Sequence, residues 1–214
     1  MSGFFLTVEG VDGAGKSTQA RILAEQLTTE GHEVVLTREP GGAPGAEEIR
    51  RLLLTGDPER WSPVTETLLF FAARRDHVER TIQPSLDRGA VVICDRFTDS
   101  TRAYQAAARP EAAGAARRLI DSLHREVIGL DPHLTLIFDM SPEAALRRGL
   151  ARDTDEARFE AMGDGFQTHL RQTFHDIAAS EPDRCRMIDA EGDVETVAAR
   201  VLPVVSAAMQ AEHG

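Results

Sequence analysis

Gly10-Val11-Asp12-Gly13-Ala14-Gly15-Lys16-Ser17 decides the architecture of this chain. The octapeptide fits G-x-x-x-x-G-K-[ST]. It follows the apolar run Phe4–Val8 directly and precedes residues at helical spacing (Ile22, Leu23, Leu27), the strand-loop-helix context of a phosphate-binding loop. Its glycines let successive backbone N–H groups converge on phosphate oxygens, and the helix N-terminus adds partial positive charge. Lys16 supplies a mobile cation and Ser17 a hydroxyl suited to Mg2+. Lys16 is also the single lysine of the chain, beside 23 arginines. An ordinary glycine-rich turn is the competing reading, and the flanking strand and helix weigh against it. The loop implies a nucleoside triphosphate with Mg2+ and leaves motors, switches and kinases open.

Outward from the loop, short β-rich runs recur at Phe4–Glu9, Val34–Thr37, Val91–Asp95, Leu134–Asp139 and Arg186–Ile188. Longer stretches at helical spacing separate them, clearest after Lys16, across Thr65–Arg88, across Gly114–Ile128, and in Phe159, Met162, Phe166, Leu170, Phe174 and Ile177. Ser141-Pro142 reads as an N-cap followed by a first-turn proline. This alternation predicts an α/β fold, a parallel sheet with helices on both faces.

The 214 residues suit one domain spanning 1–214, with no repeat or linker to divide them. A net charge of −11 works against nucleic acid and anionic lipid as partners. A phosphate ligand must therefore meet a local cluster of cations. Two cysteines are too few for a disulfide framework and fit a reducing cytoplasm, with Cys94 a buried thiol. No apolar stretch is long enough for a signal peptide or membrane span. The seven histidines show no paired ligand spacing with the cysteines, which disfavours a zinc enzyme.

Further landmarks are Thr37-Arg38-Glu39-Pro40-Gly41-Gly42, Asp95-Arg96-Phe97, Ser100-Thr101-Arg102-Ala103-Tyr104-Gln105 and Ile188-Asp189-Ala190. Together with Glu9-Gly10-Val11-Asp12-Gly13-Ala14-Gly15-Lys16-Ser17-Thr18, and in this order over nearly the whole chain, they resemble bacterial thymidylate kinase. The resemblance implies a P-loop nucleoside monophosphate kinase fold with a five-stranded parallel sheet in order 2-3-1-4-5, a homodimer, and transfer of phosphoryl from ATP to dTMP giving dTDP and ADP, a step of dTTP synthesis.

Phe70, Arg74 and His77 stand at i, i+4, i+7 and share one helix face, so a ring and a guanidinium can address one planar ligand. The resemblance gives Phe70 stacking on thymine and Arg74 a hydrogen bond to its carbonyl; a core phenylalanine beside a solvated arginine is the competing reading. Thr101, Tyr104 and Gln105, at i, i+3, i+4, form a second polar face. The resemblance places Thr101 and Gln105 near the thymine edge and Tyr104 beside the deoxyribose, against a solvated helix start as the alternative. Asp95 and Arg96 at a strand end offer a carboxylate for hydrated Mg2+ and a forked cation for the acceptor phosphate, or else a structural ion pair. Asp12 is a candidate partner of the sugar 3′-hydroxyl, and Arg38, Glu39 and Arg50 are candidate wall residues.

The arginine-dense segment from Arg147 and Arg148 to Arg158, about residues 147–158, is similar to the mobile lid of this family. Eukaryotic-type members carry an arginine where Gly13 stands. Bacterial relatives with a small residue there draw the cation from the lid, which singles out Arg152 and Arg158 as catalytic beside Lys16 and Arg96. Phe97 stands where the family more often has tyrosine or histidine. The alternatives are a kinase of another small molecule on the same fold and a nucleotide-dependent switch; a motor is disfavoured because Arg96, not glutamate, follows Asp95.

Overall fold

The computed structural model describes residues 3–57, 60–141, 143–145 and 163–213. Five strands form one parallel sheet in the order β2-β3-β1-β4-β5: β1 Phe4–Gly10, β2 Val34–Arg38, β3 Val91–Asp95, β4 Leu134–Asp139 and β5 Cys185–Asp189. The expected order is the observed one. The expected strands lie within these spans, β1, β2 and β5 running a residue or so further.

Period-two alternation assigns each strand residue to a face. Phe4, Leu6 and Val8 of β1, with Val91 and Ile93 of β3, enter a core shared with α1 (Lys16–Thr29), α7 (Gly163–Ser180) and α8 (Val194–His213). Phe5, Val92 and Cys94 point to the opposite face. They pack there against α3 (Pro63–His77), its extension Val78–Ile82, and Ile120 of α6 (Ala113–Leu123). With both faces covered, the central strands β1, β3 and β4 read as nearly unbroken apolar runs, while the edge strands β2 and β5 are partly exposed. Each fully buried leucine or phenylalanine contributes about 1.5–3 kcal/mol.

The stretch Thr65–Arg88, expected as one helix, is three pieces: α3, a π-helical turn at Val78–Ile82, and the short α4, Gln83–Asp87. Pro84 explains the change, because a proline ring lacks an N–H and crowds the carbonyl one turn earlier, so the ladder must widen before it. Gly114–Ile128 likewise ends in a π turn at His124–Ile128, closed by Gly129 at φ +63°. Two helices complete the layer over the cleft, α2 (Pro44–Leu54) and α5 (Thr98–Ala108). After β4, Ser141 Oγ accepts from the Ala144 N–H at 3.4 Å, as an N-cap does. Arg147, Arg148, Arg152 and Arg158, with Phe159 and Met162, lie outside the described residues.

Candidate active site

The carboxyl ends of β1, β2 and β3 converge on one cleft, where open α/β sheets place their ligands. At its phosphate end, Gly15 adopts φ +86° as the residue before α1, so the loop turns straight into the helix N-terminus. Gly13 is at φ +81°, and a Cβ there would lie 2.4 Å from the Ala145 carbonyl oxygen, so no larger residue fits without displacing backbone. Lys16 Nζ donates to the Val11 carbonyl at 2.7 Å and lies 3.8 Å from Asp12 Oδ1, folded over the loop it would share with phosphate.

Ser17 Oγ donates to Asp95 Oδ2, joining the two oxygens suited to a hydrated Mg2+. The other oxygen, Asp95 Oδ1, is buried and has no hydrogen-bond partner among the described residues. An orphaned carboxylate oxygen beside a loop hydroxyl is a donor set that fits a hard cation.

The turn from β3 into α5 carries Arg96 at φ +71°, a left-handed conformation that costs a non-glycine residue about 1–3 kcal/mol. Its N–H donates to the Val8 carbonyl at 2.9 Å. Its guanidinium pairs with Asp12, donates to Ser100 Oγ at 3.2 Å and lies 5.0 Å from the centroid of the Tyr104 ring. Tyr104 donates its hydroxyl to Asp12 Oδ2 at 2.7 Å. Burial pushes the Asp12 carboxyl up, but Arg96 and Lys16 outweigh it and hold the group below its usual range. Burial also raises the Tyr104 phenol well above its ordinary value, so it stays a neutral donor.

At the other end, Arg74 is 2% exposed and donates from Nε to Glu39 Oε2 at 2.7 Å and from Nη2 to Thr101 Oγ1 at 3.1 Å. Its Nη1 is buried without an acceptor among the described residues. Glu39 Oε1 is held by His77 Nδ1 at 3.1 Å, and His77 Nε2 meets Thr37 Oγ1 at 2.8 Å. Glu39, His77 and Cys94 place donor atoms within 4.8 Å of one another, but both Glu39 oxygens are committed, to Arg74 and His77. Gln105 Nε2 donates to Glu66 Oε2 at 3.3 Å.

The cleft between these ends is concave and opens to solvent at its mouth. Asp12, Glu39, Arg50, Phe70, Arg74, Arg96, Thr101, Tyr104 and Gln105, all singled out in the sequence, line it. Arg50 donates to the Pro40 carbonyl at 2.7 Å, bracing that wall. Arg38 does not line it: it is 56% exposed and pairs with Glu47 at 3.3 Å. His77, on the same helical stripe as Phe70 and Arg74, is fully buried behind the wall. Ser100, Pro40 and Phe97, quoted among the landmarks without a role, and Leu54 also line it, while the buried Glu9 lies beneath the lining and accepts from Phe97 N–H and Ser100. The i, i+4 relation of Ser100 to Tyr104 and a carboxylate inside an apolar strand were the available signals.

The family model described as thymidylate kinase matches residues 8–201. Thymidylate kinase of Ruegeria pomeroyi is 57% identical over 204 residues, covering 95% of each chain. That of Caulobacter vibrioides is 54% identical over 204 residues, covering 95% of this chain and 96% of the relative. Among solved structures, thymidylate kinase from Ehrlichia chaffeensis superposes with a TM-score of 0.75 at 36% identity, over 96% of this chain and 99% of the other.

Proposed function

This chain belongs to the thymidylate kinase family and is an ATP-dependent nucleoside monophosphate kinase that phosphorylates dTMP to dTDP, and on that premise we propose how its residues divide the work. The backbone from Gly10 to Thr18 and Lys16 hold the ATP phosphates. Lys16 leaves the Val11 carbonyl for a phosphate oxygen as the nucleotide enters. Ser17 and Asp95 hold Mg2+, which would neutralise charge on the donor phosphates; the buried, unpartnered Asp95 Oδ1 supports this.

Arg96 receives the acceptor phosphate, with Asp12 and Tyr104 beside the sugar. The acceptor oxygen is already anionic, so no base has to take a proton, and catalysis reduces to aligning donor and acceptor and matching the charge that spreads between them. Arg152 and Arg158 supply the lid's share, and closure of the lid would exclude water from the transferring group.

The observation that carries the choice of base is Arg74. A buried guanidinium whose Nη1 lacks an acceptor, between Phe70 and Thr101 in the cleft wall, presents one directed donor to a ring carbonyl. Phe70 covers the face of that ring. Thymine presents a carbonyl where cytosine presents an amino group, so the donor selects it.

We further propose that residues 1–214 form one domain with a lid at about 147–158. A homodimer is supported by the exposed Leu52 of α2 and Val64 and Leu68 of α3, at 46%, 54% and 47%. The cytoplasmic location is supported by two free, buried cysteines. No helix among the described residues is long and apolar enough to cross a membrane. Release of ADP measured with dTMP, dUMP, dGMP and the ribonucleotide of thymine tests the reading: turnover should be fastest with dTMP, and preference for a purine monophosphate would overturn it.

A further inference from the structure

Glu9 is a carboxylate in the interior of β1, fully buried on the sheet face that also carries Phe5, where an apolar residue would cost nothing to desolvate. Its two oxygens have separate partners. Oε1 accepts the Phe97 N–H at 2.7 Å and Oε2 accepts the hydroxyl proton of Ser100. Phe97 follows Arg96 in the turn, and Ser100 stands in the first turn of α5 just beyond it.

We infer that Glu9 is a positioning residue for phosphoryl transfer: it holds the backbone after Arg96 and, through Ser100, aims the Arg96 guanidinium into the cleft. The inference rests on the assignment of Arg96 to the acceptor phosphate.

Two features of the geometry carry it. First, Arg96 is left-handed at φ +71°, and such a backbone persists only where its surroundings over-determine it. The Val8 carbonyl takes the Arg96 N–H at 2.9 Å and the Cys94 thiol donates to the Arg96 carbonyl at 3.1 Å. Glu9 fixes the next N–H along, that of Phe97, and so the plane of the peptide that follows Arg96. Secondly, a hydroxyl has one proton. While Glu9 is ionised it can only accept, so Ser100 spends that proton on Glu9 and turns a lone pair to Arg96 Nη1, 3.2 Å away. A protonated Glu9 can itself donate to Ser100 Oγ, and then competes with Arg96 Nη1 for the lone pairs of that hydroxyl.

The protonation state of Glu9 therefore matters to how Arg96 is aimed. Burial and the nearby Asp99 carboxylate of α5 push the Glu9 carboxyl up to about 7, against Ser100, Arg96 and the Phe97 N–H, which favour the ionised form. The other titratable groups facing it are Cys94 of β3 and Cys185 of β5, both raised thiols; Arg184 and Arg102 pair with Asp99 behind it.

The test is steady-state kinetics from pH 5.5 to 8.5 on the wild type, Glu9→Gln, Ser100→Ala, the double variant and Arg96→Ala, with thermal melts to confirm folding. Glu9→Gln keeps the shape but turns an amide donor towards Ser100. At pH 8 it should lower kcat/KM for dTMP by roughly 10- to 100-fold, the scale of a lost bond to a charged group, while KM for ATP stays within about twofold. The wild-type profile in kcat/KM for dTMP should show an acid limb near pH 7. Glu9→Gln should keep only the limb near about pH 6 that belongs to the substrate's own phosphate. Ser100→Ala should match Glu9→Gln in size, and the double variant should be no worse than either. Folded Glu9→Gln and Ser100→Ala enzymes with unchanged kcat/KM for dTMP, a limb near pH 7 that survives Glu9→Gln, or an equal rise in both KM values would overturn the inference. Should Glu9→Gln fail to fold, Ser100→Ala alone decides it. If Arg96→Ala leaves the handling of dTMP unchanged, the assignment of Arg96 falls; if only Arg96→Ala is impaired, the role of Glu9 falls alone.

Discussion

Replacing Arg74 by methionine separates recognition of the base from support of the cleft. The substitution keeps the aliphatic stem over the Phe71 and Phe97 rings, whose centroids lie 4.9 and 5.1 Å from the guanidinium carbon, and removes every donor. Glu39, 4% exposed in this pair, then loses the partner that lay 2.7 Å away. A buried charge stripped of its partner costs about 3–5 kcal/mol. For a chain of this size that lowers Tm by roughly 6–20 °C. Independently, the donor at Nη1 is lost to the base. A hydrogen bond from a charged group contributes about 1.5–3 kcal/mol, which raises KM for dTMP roughly 10- to 140-fold. KM for ATP, bound through the loop at the opposite end of the cleft, should not move. Adding Glu39→Gln removes the stranded charge, so the double variant should regain most of the lost Tm and none of the lost affinity for dTMP. Coupled ADP-release kinetics with each substrate varied in turn, together with thermal melts, provide both readouts. Recovery of the dTMP KM in the double variant, or equal rises for dTMP and ATP in the single one, would refute the reasoning and leave Arg74 a purely structural residue.

Replacing Arg152 or Arg158 by alanine should lower kcat on the order of 10²–10⁴-fold with little change in dTMP affinity, and lysine should rescue only in part because a point charge cannot reproduce a planar fork. An unchanged single-turnover rate in the double alanine variant would sink that assignment. Gly13→Ala should raise KM for ATP and lower Tm, because its Cβ would meet the Ala145 carbonyl at 2.4 Å in a backbone at φ +81°; a melt and an ATP titration indistinguishable from wild type would contradict it. Glu9, raised from 4.5 to about 7 in the folded state, adds stability fully present below pH 4.5 and lost as pH rises through 7. Wild-type unfolding free energy should therefore decline relative to that of Glu9→Gln across this window, by on the order of 3 kcal/mol; parallel pH curves for the two proteins would count against it.

The phosphate loop was legible because its chemistry is local: glycine freedom, a helix start and a lysine lie within eight consecutive residues. The central strands β1, β3 and β4 were legible for a related reason, since burial on both faces leaves apolar runs that end where the sheet ends. Helices α2 and α8 went unread. Only Ala46 and Leu53 of α2 are buried, which leaves little apolar stripe to detect, and Pro203 interrupts the valine spacing of α8. Spacing placed Phe70 and Arg74 in the cleft but could not tell that the same stripe passes into the core by His77, because periodicity gives a face and not the depth of what that face meets. Arg38 illustrates the same limit on a strand: the last residue of β2 reaches the cleft edge, yet its side chain turns out to Glu47. Glu9 was visible as a charge in an apolar strand, but its partners, Phe97 and Ser100, are distant in sequence and only the fold brings them to it.

This cleft passes a phosphoryl group from ATP to dTMP and not to water. ATP carrying a radiolabelled γ-phosphate, incubated with the enzyme, Mg2+ and dTMP and resolved by chromatography, tests it most directly. Label should appear in dTDP in step with ADP release, and none there with a folded Lys16→Ala variant. Label accumulating as inorganic phosphate, or labelled dTDP undiminished in Lys16→Ala, would contradict it.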